Sequence, residues 1–237
     1  DSAIYEILKS TFKNYNPDFF IFSMTQFISG FQMDLDILKQ LKSEFPETSF
    51  IVDATQYCGT EVFDFENSPF DVFASSAYKW LNAGLGTAFF LMKSTFTDKI
   101  HFKTIGSNSL TSKPDGKPKH SGFLEPGHHD ILAIARLKFA LEFHYKTLGI
   151  QMVEASIKSL CKRAKALFLD LNLLDNTSID ETSHQHIFSL KGKEEDVEVL
   201  KNQGILPSYR GGRIRVGFQY FNTEENINIL LQSLKNR

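Results

Sequence analysis

Short apolar runs alternate with stretches of helical spacing in the first part of the chain. Four runs of strand length are bounded by polar or turn-forming residues, namely 19–22, 49–52, 70–74 and 87–92. Largely apolar runs of this length are typical of strands buried on both faces of a parallel sheet. Helical spacing precedes the first run at Ile4–Phe12, and Leu35–Phe45 lies between the first two runs. The pattern therefore predicts strands that alternate with helices.

That alternation predicts an α/β fold in which helices wrap a mostly parallel sheet. From Gly149 onward the pattern changes, with helices at Met152–Leu171, Glu195–Asn202 and Glu224–Leu234 and strands at Ile187–Lys191 and Arg213–Gly217. This second pattern predicts a small α+β domain that closes against the first. We therefore expect a large domain over residues 1–120, a connecting helix over 121–148 and a small domain over 149–237.

The composition is that of an ordinary globular protein, because 42% of the 237 residues are hydrophobic and 23% are charged. The formal net charge of -2 argues against nucleic acid as a partner. No apolar run could span a bilayer, and the start has no signal-peptide pattern, so we expect a cytoplasmic protein without a membrane partner. The two cysteines, Cys58 and Cys161, have no metal-site spacing, which fits a reducing compartment.

Polar side chains follow two of the predicted strands. Asp53 ends one apolar run, and Lys79 follows the next, preceded by Ser75, Ser76 and Tyr78. Because the carboxyl ends of parallel strands meet at one edge, we expect an acid and an amine in one pocket. A buried carboxylate can keep a pyridine nitrogen protonated, and a neutral lysine can condense with an aldehyde. With hydroxyls for a phosphate, these groups predict a site for pyridoxal phosphate (PLP).

The spacing of these residues resembles that of a known family. Residues 53–56 read D-x-x-Q, residues 76–79 read S-x-x-K, and Asp53 precedes Lys79 by 26 positions. This combination resembles the class V aminotransferases, PLP-dependent enzymes of fold-type I that include cysteine desulfurases, transaminases and kynureninases. A Tyr directly before the lysine is most similar to the kynureninase-like branch. Alone, Asp53 would be typical of a turn and Lys79 of a surface position, so the combination carries the prediction.

The resemblance implies a role for each residue of the motif. Asp53 would pair with the pyridine nitrogen of PLP, and Gln56 would hydrogen-bond the phenolic oxygen of the ring. Ser76 and Tyr78 would contact the phosphate, and Lys79 would form the Schiff base. Family members also carry a substantial N-terminal portion before the point at which this chain begins. We therefore expect the large domain of this chain to be incomplete at its N-terminus.

Residues 125–128 read E-P-G-H where the family has E-x-G-T. In the family, that Thr reaches the phosphate in the partner subunit of a homodimer. The resemblance thus implies a homodimer in which His128 takes the place of the Thr, since a His can also donate to phosphate. A metal site at His128, His129 and Asp130 is disfavoured, because adjacent histidines point in different directions and an Asp is common in a first helical turn.

Residues 213–223 resemble the family's R-x-S-x-x-x-Y-N-T, with Gly217 in place of the Ser and Phe221 in place of the Tyr. The resemblance makes Arg215 the clamp for the α-carboxylate of the substrate, a role that suits a planar guanidinium group. Arg210 and Arg213 flank a Gly-Gly turn and are weaker candidates for lining the entrance of the same substrate pocket.

The motifs leave the reaction open among several interpretations. A desulfurase needs a mobile Cys on the loop before the substrate-binding arginine, but residues 201–210 contain no Cys. Cys58 follows Gln56 too closely to take the part of that mobile Cys. Kynureninase-like hydrolysis or another lyase reaction fits the string from Tyr78 to Asn82. We favour an amino-acid aminotransferase in which Lys79 also moves the proton.

A hypothesis from another class is a catalytically silent protein that retains the fold. It is motivated by the missing N-terminal portion and by the departures from the family's motifs. One further departure is Phe27, which stands where the family often has an Asn or a Tyr.

Overall fold

The computed structural model describes residues 2–110, 120–174 and 186–235. In the first range, helices and strands alternate as predicted, as α1 (Ser2–Tyr15), β1 (Phe19–Ser23), α2 (Leu35–Glu44), β2 (Ser49–Asp53), β3 (Val72–Ser76) and β4 (Ala88–Met92). Each of the apolar runs therefore corresponds to a strand, with ends shifted by one or two residues.

The first sheet has the order β1-β2-β3-β4. β1, β2 and β3 are parallel, and β4 is antiparallel to β3. The expected mostly parallel sheet is confirmed. Residues 54–71, which join β2 to β3 and are all described, contain turns and no helix, so this connection departs from simple strand-helix alternation. The register pairs Asp53 with Ser23 on one side and Ala74 on the other, at the carboxyl edge of the sheet.

Asp71 is a polar residue inside the apolar run that leads into β3. Its Oδ2 accepts hydrogen bonds from Lys42 Nζ at 2.8 Å and from the backbone N–H of Phe50 at 2.7 Å. A partly buried carboxylate is stable only when such partners compensate the loss of water. Asp71 therefore ties α2 and β2 to the start of β3.

Aromatic side chains from α1, α2 and the sheet form the first core. Phe12 contacts Phe20, Phe45 and Phe50 edge to face, with ring centroids 5.2–6.1 Å apart. Edge-to-face pairs at this separation are attractive beyond the area that they bury. These phenylalanines belong to the first core or pack against it, whereas Phe90 on β4 is 60% exposed.

The middle of the chain contains short helices and one longer one, as α3 (Ser94–Thr97), α4 (Ser107–Leu110), α5 (Ser121–Leu124), α6 (Ile131–Glu142) and a π-helical segment (Phe143–Leu148). The sequence predicts one connecting helix within 121–148, with its start near Phe123, but α5 ends at Leu124 and α6 starts at Ile131. The reason is a cap: Asp130 Oδ1 accepts from the backbone N–H groups of Leu132 and Ala133 at 2.9 and 3.1 Å. The content of Gly, Ser, Pro and Lys in residues 103–119 predicts a loop there, and part of this segment lies outside the described residues.

The apolar side chains of α6 are largely exposed. Ile131 is 78% exposed, Leu132 73% and Phe139 71%, and the buried residues of the helix are Ala133 and Ala140. The sequence predicts an apolar face here, and the described residues do not cover it. No described helix, however, is long and apolar enough to cross a membrane.

The C-terminal part contains α7 (Ile150–Asp170), β5 (Ile187–Leu190), α8 (Glu195–Lys201), β6 (Ser208–Arg210), β7 (Arg213–Gly217) and α9 (Glu224–Lys235). Its antiparallel sheet has the order β5-β7-β6. The predicted helices and strands are confirmed, and β6 is an additional strand of three residues. Phe168 on α7 packs on Phe188 of β5, with ring centroids 5.2 Å apart, and both side chains are 0% exposed. This part therefore has its own core.

The two sheets approach each other closely at two places. Gly30, with a φ of +77°, lies against β5, and a Cβ added there would be 1.9 Å from the carbonyl oxygen of Ile187. This approach requires a glycine. Gln219 Nε2 donates to the carbonyl oxygen of Trp80 at 3.2 Å, next to Lys79. The second sheet is therefore held against the turn that follows β3, while the domain limits at residues 120 and 148 stay predictions.

Candidate active site

A cavity of about 670 Å³ lies between the carboxyl edge of the first sheet and the second sheet. Its lining comprises Phe27, Gln56, Tyr78, Lys79, Trp80, Asn82, Ile187, Leu206, Ser208, Arg210, Arg215, Val216, Gly217, Gln219 and Phe221. Among these described residues, Lys79, Arg210 and Arg215 are cationic, and none is a carboxylate. A concave surface with this charge favours anionic ligands.

Lys79 lies in the turn that follows β3, with Nζ 5.7 Å from the ring centroid of Tyr78. Burial lowers the pKa of Lys79 below the ordinary value of a lysine, the positive charge of Arg215 lowers it further, and Asp53 acts in the opposite direction. A lower pKa increases the neutral fraction of the amine at a given pH. The neutral amine is the form that attacks an aldehyde.

Asp53 ends β2 at the same edge of the sheet. Its Oδ1 accepts a hydrogen bond from the backbone N–H of Thr55 at 2.9 Å. Its charge raises the pKa of Lys79, so the carboxylate lies close enough to act on the amine. The sequence analysis expects a buried carboxylate, but Asp53 is exposed, because none of the described elements covers the end of β2. Asp53 lies beside the cavity and does not line it.

Gln56 is buried and presents its side chain to the cavity. Its Oε1 accepts a hydrogen bond from Trp80 Nε1 at 3.0 Å. Because an indole N–H can only donate, this contact requires the amide oxygen to face Trp80. The two N–H bonds of Nε2 then remain as donors at a residue that lines the cavity. They match the predicted contact with a phenolic oxygen.

Ser76 and Tyr78, the predicted phosphate contacts, lie on either side of the end of β3. The backbone N–H of Ser76 donates to Thr55 Oγ1 at 3.1 Å, which joins the strand ends that carry Asp53 and Lys79. Tyr78 lines the cavity and is 44% exposed. Ser76 is half-buried and is absent from the lining of the cavity. The structure thus brings Tyr78, and less directly Ser76, to Lys79.

Arg215 reaches the cavity from β7. Its Nη1 donates to the carbonyl oxygen of Phe27 at 2.8 Å, which anchors one edge of the guanidinium group on the loop after β1. Burial lowers the pKa of Arg215, Arg210 lowers it further, and Tyr78 opposes both. A guanidinium group has five N–H donors, so the donors that remain can bind a carboxylate.

His128 is not among the residues that line the cavity. It lies in the exposed segment between α5 and α6. Its neighbours serve local structure, since Asp130 caps α6 and His129 Nε2 lies 3.6 Å from Glu125 Oε2. The role of His128 at the phosphate of a second copy therefore stays a prediction. Within the described ranges, no group of metal-ligating side chains could hold a metal ion.

Several residues of the cavity had no predicted role. Trp80 orients Gln56, and Gln219 connects the second sheet to the turn that carries Lys79. Both residues lie inside the sequence segments that resemble the family, so their position could have marked them as residues near the site. Ser208 lies directly opposite Arg215 on β6. A strand of three residues has too weak a pattern for this placement to be predicted.

The sequence profile described as Aminotransferase class-V matches residues 8–230, which is most of the chain. The chain belongs to the class V aminotransferase family. This membership confirms the recognition made from the D-x-x-Q and S-x-x-K motifs, and it confirms PLP as the cofactor of the family. A comparison with curated protein sequences finds no match.

Solved structures of class V enzymes share the fold. A cysteine desulfurase from Thermococcus onnurineus NA1 superposes with a TM-score of 0.79 at 16% identity, over 92% of this chain and 59% of its own. The cystine C-S lyase C-DES superposes with a TM-score of 0.78 at 21% identity, over 96% of this chain and 64% of its own. An alanine–glyoxylate aminotransferase from Nostoc sp. superposes with a TM-score of 0.74 at 17% identity, over 98% of this chain and 64% of its own. The chain therefore spans less than two thirds of each of these enzymes.

The residues present fit the class V cofactor. PLP has a basic ring nitrogen, a phenolic oxygen, an aldehyde and a phosphate. Asp53 offers a carboxylate, Gln56 offers amide N–H donors, and Lys79 offers an amine with a lowered pKa. Tyr78 offers a hydroxyl on the wall of the cavity. Each chemical group of PLP thus has a suitable partner type at the carboxyl edge of the first sheet.

Proposed function

We propose that this chain carries a large part of the active site of a PLP-dependent class V aminotransferase that acts on an amino acid. One observation carries the proposal. The amine of Lys79 has a lowered pKa on the wall of a cavity that Arg215 also lines, with Asp53 close enough to influence it electrostatically. An amine, an acid and a guanidinium group in this relation meet the needs of amino-acid chemistry on PLP.

The first sheet supplies the groups that hold the cofactor. When bound, PLP withdraws electrons from the α-carbon of the substrate through its ring. Asp53 would keep the ring nitrogen protonated, and Gln56 would donate from Nε2 to the phenolic oxygen. Ser76 and Tyr78 would donate to the phosphate. Trp80 keeps the amide of Gln56 in the orientation that presents these donors.

Arg215 and Lys79 act on the substrate. The guanidinium group of Arg215 binds the α-carboxylate and thereby fixes which bond of the α-carbon faces the cofactor. Lys79, as a neutral amine, would accept the proton of the α-carbon on Nζ and hold it there until it is returned. Because only the neutral amine can accept a proton, the lowered pKa of Lys79 favours this role near neutral pH.

Desulfuration is disfavoured by the cysteines. Residues 201–210, the loop before the arginine, contain none. Burial raises the pKa of the Cys58 thiol to about 11, although a hydrogen bond with Ser75 lowers it in part. A thiol with this pKa is a poor nucleophile near neutral pH. Cys58 is also absent from the lining of the cavity.

A second candidate is kynureninase-like hydrolysis or another lyase reaction. Tyr78, which precedes the lysine as in the kynureninase-like branch, lies on the cavity wall and adds a hydroxyl beside Lys79. The products separate the two candidates. An aminotransferase converts a keto acid into an amino acid in step with consumption of the donor, whereas a hydrolase cleaves the side chain without an acceptor.

The proposal includes a homodimer with the cofactor near the contact between copies. Its support is the family resemblance at residues 125–128, together with the placement of His128 away from the cavity of its own chain. Sedimentation of the protein would detect the dimer. Location in the cytoplasm stays a prediction.

The experiment that tests the proposal is a titration of the protein with PLP, followed by reduction with borohydride and peptide mass spectrometry. We expect a new visible absorption band and a reduced PLP label on Lys79. Lys79→Ala should lose both. Lys99→Ala is a matched control, because Lys99 is an exposed lysine paired with Glu47 at 3.7 Å.

Two outcomes would contradict the proposal. If several surface lysines were labelled and Lys79 were not, Lys79 would not be the residue that binds PLP. A protein that stays colourless with PLP, also as a longer chain with any preceding residues, would favour the catalytically silent alternative. Release of a keto acid in a screen of amino donors would then identify the substrate of an active enzyme.

A further inference from the structure

The wall of the cavity formed by the second sheet carries two arginines. Ser208 pairs with Arg215 across β6 and β7, and Arg210 pairs with Arg213. Directly opposed residues of an antiparallel pair point to the same side of the sheet, so these four side chains share one face. The intervening Ile214 is 0% exposed in the C-terminal core. The shared face therefore points away from that core and toward the first sheet.

Register alone does not decide which arginines reach the cavity. Arg213 Nη1 donates to the carbonyl oxygen of Ser189 at 3.3 Å, and Arg213 does not line the cavity. Arg210 does line it, together with Arg215. The two cavity arginines are diagonal neighbours on the ladder, which places the two residues about 7–8 Å apart, with their Cβ atoms somewhat closer.

Arg210 lacks an acidic partner among the described residues. No carboxylate lines the cavity, and the ion pairs of the described residues do not include Arg210. Its charge also lowers the pKa of Arg215, so the two guanidinium groups repel each other. Like charges held at this distance are relieved by an anion that binds between or across them.

The proposed function uses the other cations of the cavity. Lys79 attaches to the cofactor, and Arg215 binds the α-carboxylate, whereas Arg210 has no role. The apolar side chains of Phe27, Leu206 and Phe221 also line the cavity and suit methylene groups. A guanidinium group beyond an apolar stretch is what an acidic side chain would require.

We propose that Arg210 is a specificity-determining residue, and that the amino acid substrate carries an anionic group at the end of its side chain. This inference rests on the proposed function, because it assigns Arg215 to the α-carboxylate. Arg210 binds the distal group, and the separation of the two guanidinium groups selects the length of the substrate. Glutamate and aspartate carry a carboxylate there, and O-phosphoserine carries a phosphate.

The first test needs no cofactor. Glutarate and its monoacid counterpart butyrate are titrated into the protein by calorimetry at constant ionic strength. We expect glutarate to bind roughly tenfold more tightly, as for one charge-assisted contact. Arg210→Gln should bring the two affinities within about twofold of each other, since the distal contact is then lost. Arg213→Gln is the matched control and should keep the preference.

A second set of measurements identifies the distal group. With PLP added, Arg210→Gln should raise the KM for the preferred acidic amino acid and change kcat little, because the contact is far from the reacting bond. Glutamate, aspartate and O-phosphoserine distinguish a carboxylate from a phosphate. Norvaline, which lacks the acidic group, should respond little to the substitution. Arg210→Lys keeps the positive charge but lacks the paired N–H donors of the guanidinium group, so it should lose only part of the preference for acidic amino acids.

Several results would overturn the inference. One is a wild-type protein that binds glutarate no more tightly than butyrate. Another is an Arg210→Gln protein that loses affinity for both acids equally, or one whose affinity for PLP alone falls, which would assign Arg210 to the phosphate of the cofactor. Failure of the proposed function is distinct, because it appears as a missing PLP label on Lys79 while the glutarate preference is measured without PLP.

Discussion

The two sheets of this protein differ in how their apolar strands are covered. In the C-terminal sheet, Phe188 and Ile214 are 0% exposed beneath α7 and α9. In the first sheet, β2 and β3 are buried, but Ile21 on β1 is 70% exposed and Phe90 on β4 is 60% exposed. Both sheets carry large apolar side chains, although the second sheet also carries Arg210, Arg213 and Arg215 on the face away from its core. The difference lies in the layers that surround them.

The apolar composition of a strand and its burial are therefore separate properties. Apolar, β-branched and aromatic residues favour the strand itself. Burial needs a second layer, and among the described residues the outer strands β1 and β4 have an incomplete one. Related class V structures extend over more residues than this chain, since it spans 59–64% of the three compared.

The two regions also divide the chemistry of the site. The first sheet contributes Asp53, Gln56 and Lys79, and the second contributes Arg210 and Arg215. The close packing at Gly30 and the hydrogen bond from Arg215 to Phe27 hold the two sets together.

The largest expected effect contrasts a buried with an exposed phenylalanine. Phe188→Ala should lower the free energy of unfolding by about 3–5 kcal/mol, because it opens a cavity in a closed core. Phe90→Ala should cost no more than about 1 kcal/mol, since the ring is largely in water already. Urea denaturation followed by circular dichroism measures both. A cost at Phe90 equal to that at Phe188 would show that β4 is covered in solution.

The contact between the regions is tested by two glycines with positive φ. Gly30 and Gly86 have φ values of +77° and +93°, but a Cβ at Gly86 would meet nothing within 4 Å. Alanine should cost about 1–2 kcal/mol at either position from the backbone strain. Gly30→Ala should lose a further 1–3 kcal/mol or so from the clash with Ile187. Thermal unfolding of the two variants, compared side by side, measures the difference; equal losses would contradict the close packing.

The pKa of Lys79 responds to one residue from each region. Arg215→Gln removes a positive charge and should raise this pKa, whereas Asp53→Asn removes a negative charge and should lower it further. Since only the neutral amine reacts, labelling of Lys79 by trinitrobenzenesulfonate should begin at higher pH in the first variant and at lower pH in the second. Mass spectrometry across a pH series reads this out. Shifts of the same sign in both would contradict the assignment.

The smallest expected difference concerns one cysteine in each region. Burial raises the pKa of Cys58 to about 11 and that of Cys161 to about 12. Both thiols should therefore react slowly with iodoacetamide at neutral pH, with Cys58 ahead of Cys161. Ser75→Ala should slow Cys58 further, because it removes the hydrogen bond that lowers its pKa. Rapid alkylation of Cys58 in the native protein would reopen a role for it in chemistry.

Much of the fold was predictable from local chemistry. Apolar runs marked β1 to β4, and helical spacing marked α1, α2 and the C-terminal helices, because those periodicities reflect one buried side. The start of α6 was wrongly placed near Phe123, since the cap at Asp130 was read as part of a first turn. The short strand β6 was missed, because three residues carry too little pattern.

The candidate residues could be found from local pattern: an acid and a lysine at adjacent strand ends, and an arginine near the C-terminus. The packing of separate elements was needed to show that Arg210 reaches the cavity while Arg213 bonds to Ser189, and that Asp53 is exposed rather than buried. The physical reason is that side-chain periodicity reports which residues are apolar or charged along one element. What lies opposite each side chain depends on how separate elements pack, and that is set by the chain as a whole.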